Sequence, residues 1–182
     1  MEMELKQIKD FRIALKDMEP YIKNPIFLTQ GKRFSNFKML IREAWANWLL
    51  CVVFSSQYSE DFTFQETKDG DGIILNKNTG KWCVVEHVCA LDFPAGKQLP
   101  KNEDRVLLAI NHKIKKGSMY AKNKSLVVFL DGAEIWYPNR VGRKIAWCHD
   151  FLGVYCVGLI AGNEEGFSYS VSELQSLHSP TW

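Results

Sequence analysis

Asp69, Asp71, Glu86 and His87 are the residues of this chain whose types and spacing could do chemistry together. Two acids precede the strand-like run Gly72-Ile73-Ile74-Leu75, and a third stands inside Trp82-Cys83-Val84-Val85-Glu86-His87-Val88-Cys89-Ala90. A carboxylate among so many apolar neighbours loses its hydration, and needs a hydrogen bond, an opposite charge or a cation in exchange. The two runs are separated by Asn76-Lys77-Asn78-Thr79-Gly80, a turn-forming composition, so they read as a hairpin. A loop of even length centred on Asn78-Thr79 sets Asp71 opposite Glu86, whereas a three-residue loop with Gly80 at a bulge moves Asp71 toward His87. In the first register, two carboxylates would hold magnesium, or alternatively manganese, because such cations take oxygen ligands. With a phosphate oxygen added, that site would activate water for phosphodiester hydrolysis.

Each of these residues also has an ordinary reading. Asp71 belongs to Lys68-Asp69-Gly70-Asp71-Gly72, which suits any tight turn. Glu86 fits a structural ion pair with a lysine or arginine of a packing helix. His87 alternates with Glu86 and so points to the opposite sheet face, as a core histidine would. Cys148-His149-Asp150 reads as three consecutive helical positions that diverge by about 100° each, which excludes a hydrogen-bonded relay. Asp131-Gly132 reads as a turn after a strand.

The elements that must position these groups can be traced from periodicity. Residues 1–17 partly follow helical spacing and suggest an accessory helix, interrupted by Pro20 and Asn24-Pro25. A second helix, with Ser35 and Asn36 as candidate caps, carries Leu40, Ile41, Ala44, Trp45, Trp48 and Leu49 at three- and four-residue steps and ends near Ser55-Ser56. Strand character follows at residues 62–65, 72–75 and 82–91. A helix capped by Asn102, with Glu103 and Asp104 in its first turn, turns Val106, Leu107, Ile110 and Ile114 inward until Gly117. Residues 125–130 and 154–160 are continuous apolar runs, as in strands buried on both faces, and a helix over residues 141–149 joins them. The order predicts an α/β domain with a mixed central sheet of about five strands flanked by helices.

With these elements in place, the chain resembles the PD-(D/E)xK nuclease superfamily. The matching residues are Asp71 in Asp71-Gly72-Ile73-Ile74, Glu86 in Val84-Val85-Glu86-His87-Val88, and Glu43 in Arg42-Glu43-Ala44-Trp45. The resemblance spans residues 33–132 and implies a restriction-endonuclease-like fold, metal held by Asp71, Glu86 and Glu43, and hydrolysis of nucleic acid, expected to be DNA. The motif lysine, two positions after Glu86, is replaced by Val88. Some members resembling this pattern supply the lysine from the next helix, which makes Lys113 the first substitute and Lys116 the second in His112-Lys113-Ile114-Lys115-Lys116. The alternative expectation is a catalytically inactive module of the same fold that binds nucleic acid or a protein partner. A third is an interaction domain in which a basic partner simply neutralises Glu86.

Bulk properties limit the partners. The chain has 182 residues, 46% of them hydrophobic, which suits one domain with a nuclease-like core at 33–132, an N-terminal helical extension at 1–30 and a C-terminal helix and strands at 133–182. Lysine and arginine number 23 against 21 acids, a formal charge of +2, so any nucleic-acid affinity must be local. Arg140, Arg143 and Lys144, following Trp136-Tyr137, are the candidate contacts for bases and phosphates. Five scattered cysteines without a Cys-x-x-Cys pair speak against a disulfide framework or zinc site. No signal-peptide pattern or long apolar run is present, so the expected location is cytoplasmic, without membrane contact, with a homodimer as a further expectation.

Overall fold

The computed structural model describes residues 38–90, 100–130, 135–163 and 166–176, together with Ile13, Lys16, Met18 and Tyr21. Those four isolated residues are helical; the rest of the accessory helix expected over residues 1–17 lies outside the described residues. So do Ser35, Asn36 and Asp131. The chain forms two compact units that divide between Val85 and Glu86.

In the first unit, helix α1 (Ile41–Tyr58) packs on the strands β1 (Phe62–Gln65) and β2 (Gly72–Asn76). Ile41, Ala44, Trp45, Leu50, Cys51 and Phe54 are buried, a face that follows the three- and four-residue spacing of the sequence. Its N-cap, Leu40, has no side-chain acceptor, and the Glu43 carboxylate instead accepts the Leu40 N–H at 2.7 Å, the reciprocal half of a capping box. The helix continues past Ser55-Ser56 to Tyr58 and stops at Ser59, whose φ of 55° is left-handed.

The ladder β1–β2 is antiparallel, with Phe62 facing Asn76 and Gln65 facing Ile73. Strand β3 (Trp82–Cys89) continues it, with Gly72 facing Val85 and Leu75 facing Trp82. This register centres the loop on Asn78-Thr79, the even-length alternative. The Asn76 side chain closes the turn by accepting the N–H groups of Asn78 at 2.9 Å and Thr79 at 3.2 Å, and Gly80 supplies a φ of 72° without the steric cost of a Cβ.

The second unit begins inside β3, at Glu86, and contains α2 (Asn102–Ile114), α3 (Ser118–Ala121), β4 (Lys124–Leu130), α4 (Pro138–Ile145), β5 (Gly153–Asn163) and β6 (Gly166–Ser176). Strand β4 pairs with β5 in parallel, Leu126 facing Val154, and β5 pairs with β6 antiparallel. The parallel pair requires a crossover, and α4 lies in it. One core holds Val106, Ala109 and Ile110 of α2, Leu126, Val128 and Leu130 of β4, Val141 and Ile145 of α4, and Val154 and Cys156 of β5. Val127 and Phe129, alternating with that face of β4, are equally buried, which accounts for the unbroken apolar run.

The hydrogen-bonded strand order is β1-β2-β3-β4-β5-β6, so the α/β class stands and the sheet has six strands, where about five were expected. The added strand is β6, whose run Phe167-Ser168-Tyr169-Ser170-Val171-Ser172 alternates apolar and polar residues, the pattern of a half-buried strand and not of the continuous apolar runs that mark β4 and β5. Helix α4 also starts and ends earlier than expected. Pro138 at its first turn favours initiation there, and the helix ends at Ile145, before the left-handed Trp147 at φ 65°. Among the described residues, no helix is long and apolar enough to cross a membrane.

Candidate functional site

In the second unit the chemistry gathers on Glu86. Strand alternation puts Glu86, Val88 and Ala90 on one face, and Val88 and Ala90 join the core beneath α2. Lys124 opens β4 on the face of Leu126, Val128 and Leu130, which line the same core. Glu86 is therefore drawn toward α2 by the same alternation that buries its apolar neighbours, with its side chain only 8% exposed.

Both carboxylate oxygens of Glu86 are engaged. Lys124 Nζ lies 2.7 Å from Oε1, Lys113 Nζ lies 3.3 Å from Oε2, and the Tyr120 hydroxyl donates to Oε2. Tyr120 accepts in turn from Lys113 at 2.9 Å and from Lys116 at 3.5 Å. The ammonium groups of Lys116, Lys124 and Lys113 stand 4.4, 4.9 and 5.6 Å from the centroid of the Tyr120 ring. Phe151 packs edge-on against that ring, with centroids 6.2 Å apart, and fixes its plane. Burial alone would raise the Glu86 pKa, but the hydrogen bonds from Lys124 and Tyr120 and the charges of Lys113 and Lys124 outweigh it and hold the group below its ordinary 4.5.

Lys113, expected from α2, thus meets Glu86 directly, while Lys116 reaches it only through Tyr120. Lys124 and Tyr120 were not singled out from sequence. The available signal for Lys124 was its parity with the apolar residues of Lys124-Ser125-Leu126-Val127-Val128, which places a cation on the core face at the strand's first position. Tyr120, in the one-turn helix α3 between α2 and β4, carried no comparable signal.

The remaining candidates have the following surroundings. Asp71, in the first unit, is half-buried, and its N–H donates to the Val85 carbonyl at 2.9 Å. Glu43 is occupied at the start of α1, and the Asp69 N–H donates to the Thr67 hydroxyl at 3.2 Å in an exposed turn. His87 is buried. Arg140, Arg143 and Lys144 are exposed on α4. Arg140 stacks over Tyr137 at 4.3 Å and pairs with Glu103 at 3.5 Å, Lys144 pairs with Asp104 at 3.6 Å, and Arg143 Nε donates to the Asn139 carbonyl at 3.2 Å. Exposed pairs of this kind contribute about 0–1 kcal/mol, so they orient the basic groups without consuming them.

Cys148 and His149 follow α4 in a turn, Cys148 exposed and His149 buried, and they form no relay. Burial pushes the thiols of Cys51 and Cys156 far above the ordinary range, which makes them inert. Among the described residues no group of three or more His, Cys, Asp or Glu side chains converges as a metal site. No protein family, curated protein or solved structure matches the chain.

Proposed function

We propose that this chain is a metal-dependent nuclease-like protein of restriction-endonuclease-like fold that hydrolyses phosphodiester bonds in nucleic acid, DNA by resemblance. The observation that carries the reading is the 3.3 Å contact between Lys113 Nζ and Glu86 Oε2. It joins the acid of β3 to the lysine that α2 supplies in place of Val88. The chain order of α1, three antiparallel strands, α2 and β4 supports the same reading.

Glu86 fits the role of holding magnesium or manganese because its partners keep it ionised, and hard cations take carboxylate oxygens while retaining waters. Asp71 is the second carboxylate the reading calls for, and Glu43 a further one. A magnesium or manganese ion held by these carboxylates would supply the Lewis acidity for activating water and offsetting charge on the phosphate. Lys113 orients the attacking water by hydrogen bonding and stabilises the negative charge that develops on the phosphate oxygens. The Tyr120 hydroxyl fixes the Lys113 ammonium beside Glu86. Arg140, Arg143 and Lys144 contribute contacts to the polynucleotide backbone.

The second reading, a nuclease-fold module that binds nucleic acid without cutting it, is favoured by the engagement of both Glu86 oxygens with cationic or phenolic donors. The deciding experiment is cleavage of single- and double-stranded DNA and RNA in magnesium or manganese by wild type, Glu86→Gln and Lys113→Met, with folding checked by circular dichroism. The nuclease reading expects wild-type cleavage that falls by roughly 10²-fold or more in each variant. Cleavage undiminished in Glu86→Gln overturns it. Binding without cleavage in either metal selects the second reading.

A further inference from the structure

Lys113 and Lys124 have side chains only 11% and 19% exposed, and Lys116 stands with them around Tyr120. Among the described residues, Glu86 is the one carboxylate paired with Lys113 and Lys124, and Lys116 has no ion pair. Two ammonium groups, partly desolvated, therefore share one carboxylate while the exposed Lys116 joins them through the Tyr120 hydroxyl, so the cluster carries an excess of two positive charges. Ammonium groups drawn from water require compensation, and the face of the Tyr120 ring supplies only part of it. The hydroxyl of Tyr120 is already committed to Glu86 and Lys113, which fixes where the ammonium groups point. A bound dianion would restore charge balance.

We propose that Lys113, Lys116 and Lys124, gathered around Tyr120, form a seat for a single phosphate group that binds without a metal, with Glu86 as the internal counter-charge that spaces the lysines. This deepens the proposed function by placing a phosphate of the nucleic acid on these lysines, and it rests on that reading for the source of the phosphate but not for its binding. Lysine recognises phosphate as a point charge, so the seat favours the dianion of a phosphate monoester or of inorganic phosphate over the monoanion of an internal diester. A 5′-phosphorylated strand end is the nucleic-acid group with that charge.

The test uses the full chain in EDTA, so that hydrolysis plays no part. Inorganic phosphate is titrated against chloride of matched ionic strength, followed by thermal unfolding and calorimetry, for wild type, Lys116→Ala, Tyr120→Phe and the neighbouring exposed control Lys115→Ala. The expected result is saturable stabilisation by phosphate, weakened about tenfold in Lys116→Ala through loss of a charge-assisted contact, with Lys115→Ala unchanged. Tyr120→Phe keeps the ring and removes the hydroxyl, and weakens binding several-fold by releasing Lys113 and Lys116. Phosphate no more effective than chloride, or binding undiminished in Lys116→Ala, overturns the seat. A single-stranded DNA with a 5′-phosphate is then compared with its 5′-hydroxyl counterpart. Preference for the phosphorylated strand supports the nucleic-acid source, and equal affinity overturns it in favour of free phosphate. Absence of cleavage in magnesium would remove the nuclease reading and leave these binding results standing.

Discussion

A glutamate on the core face of β3 is tolerable only while its charge is answered, and at Glu86 Lys124, Tyr120 and Lys113 answer it. Because the folded pKa lies below the ordinary 4.5, the stabilisation is complete above that value and is lost as pH falls below 4.5 through the lower folded value. Glu86→Gln keeps the shape and removes the charge, and is expected to lower stability at pH 7 by about 2–4 kcal/mol, toward the lower part of the range for broken buried pairs because lysine stems can swing their heads to water. Urea unfolding between pH 7 and pH 3 should show the two proteins converging below pH 4.5. Parallel profiles would mean that Glu86 is not held ionised by its neighbours. His149 acts in a separate window. Burial holds its pKa below the ordinary 6.5, so its neutral form is favoured in the fold, and stability begins to fall as pH drops through 6.5 in both proteins alike. At this scale the sequence revealed that Glu86 needed a partner, with an unspecified lysine or arginine of a packing helix as one answer, and Lys113 was named only through the nuclease resemblance, as the substitute for the lysine missing at Val88. Parity along β4 could have offered Lys124, but its meeting with Glu86 depends on how β4 pairs, and Tyr120 arrives from the short helix α3, for which the sequence carried no signal.

Elements were legible where periodicity carried them and obscure where packing did. The hairpin register follows from Asn76-Lys77-Asn78-Thr79-Gly80, although composition alone left two loop lengths open until the Asn76 side chain was seen to close the turn. The bounds of β1 and the run of α2 follow the apolar pattern, whereas β6 carries the weaker signal of a half-buried strand, Phe167, Tyr169 and Val171 alternating with serines, beside its pairing with β5. Helix α4 shows the same limit. Gly142 sits where α4 meets β6, and a Cβ there would approach the Leu174 carbonyl oxygen to 2.2 Å. Since the obstacle is backbone, at the bulge of β6 opposite Val154 and Tyr155, no side-chain movement relieves it. Gly142→Ala is expected to destabilise the protein by about 2–3 kcal/mol, the cost of overpacking at a rigid contact, while the exposed Lys144→Ala stays within about 0.5 kcal/mol. Denaturant unfolding measures both. A Gly142→Ala protein as stable as Lys144→Ala would show that the close contact of α4 with β6 is wrong.

For the molecule as a whole, charge is nearly balanced at +2, so long-range attraction cannot carry nucleic-acid binding. Whatever affinity exists has to come from places where positive charge is in local excess. The lysines around Tyr120 are such a place, and Arg140 and Lys144 on α4, whose weak pairs with Glu103 and Asp104 leave them accessible, are a lesser one. This distribution has a thermodynamic signature, because each phosphate neutralised on a single strand releases condensed counterions and adds about −0.7 to the slope of log K against log salt. One phosphate on the lysines around Tyr120 and one or two more on the α4 cations therefore predict a slope of roughly −1.5 to −2 for single-stranded DNA, far shallower than that of a broadly basic surface. Lys116→Ala is expected to reduce its magnitude, by up to about 0.7 where the phosphate contact is lost altogether, and to weaken binding evenly across sequences. The measurement is a fluorescence-anisotropy titration in EDTA over a series of chloride concentrations. A slope near −6, or one that Lys116→Ala leaves unchanged, would move the binding surface away from the Glu86 cluster, since affinity would then come from dispersed surface cations instead of the lysines that one buried carboxylate holds together.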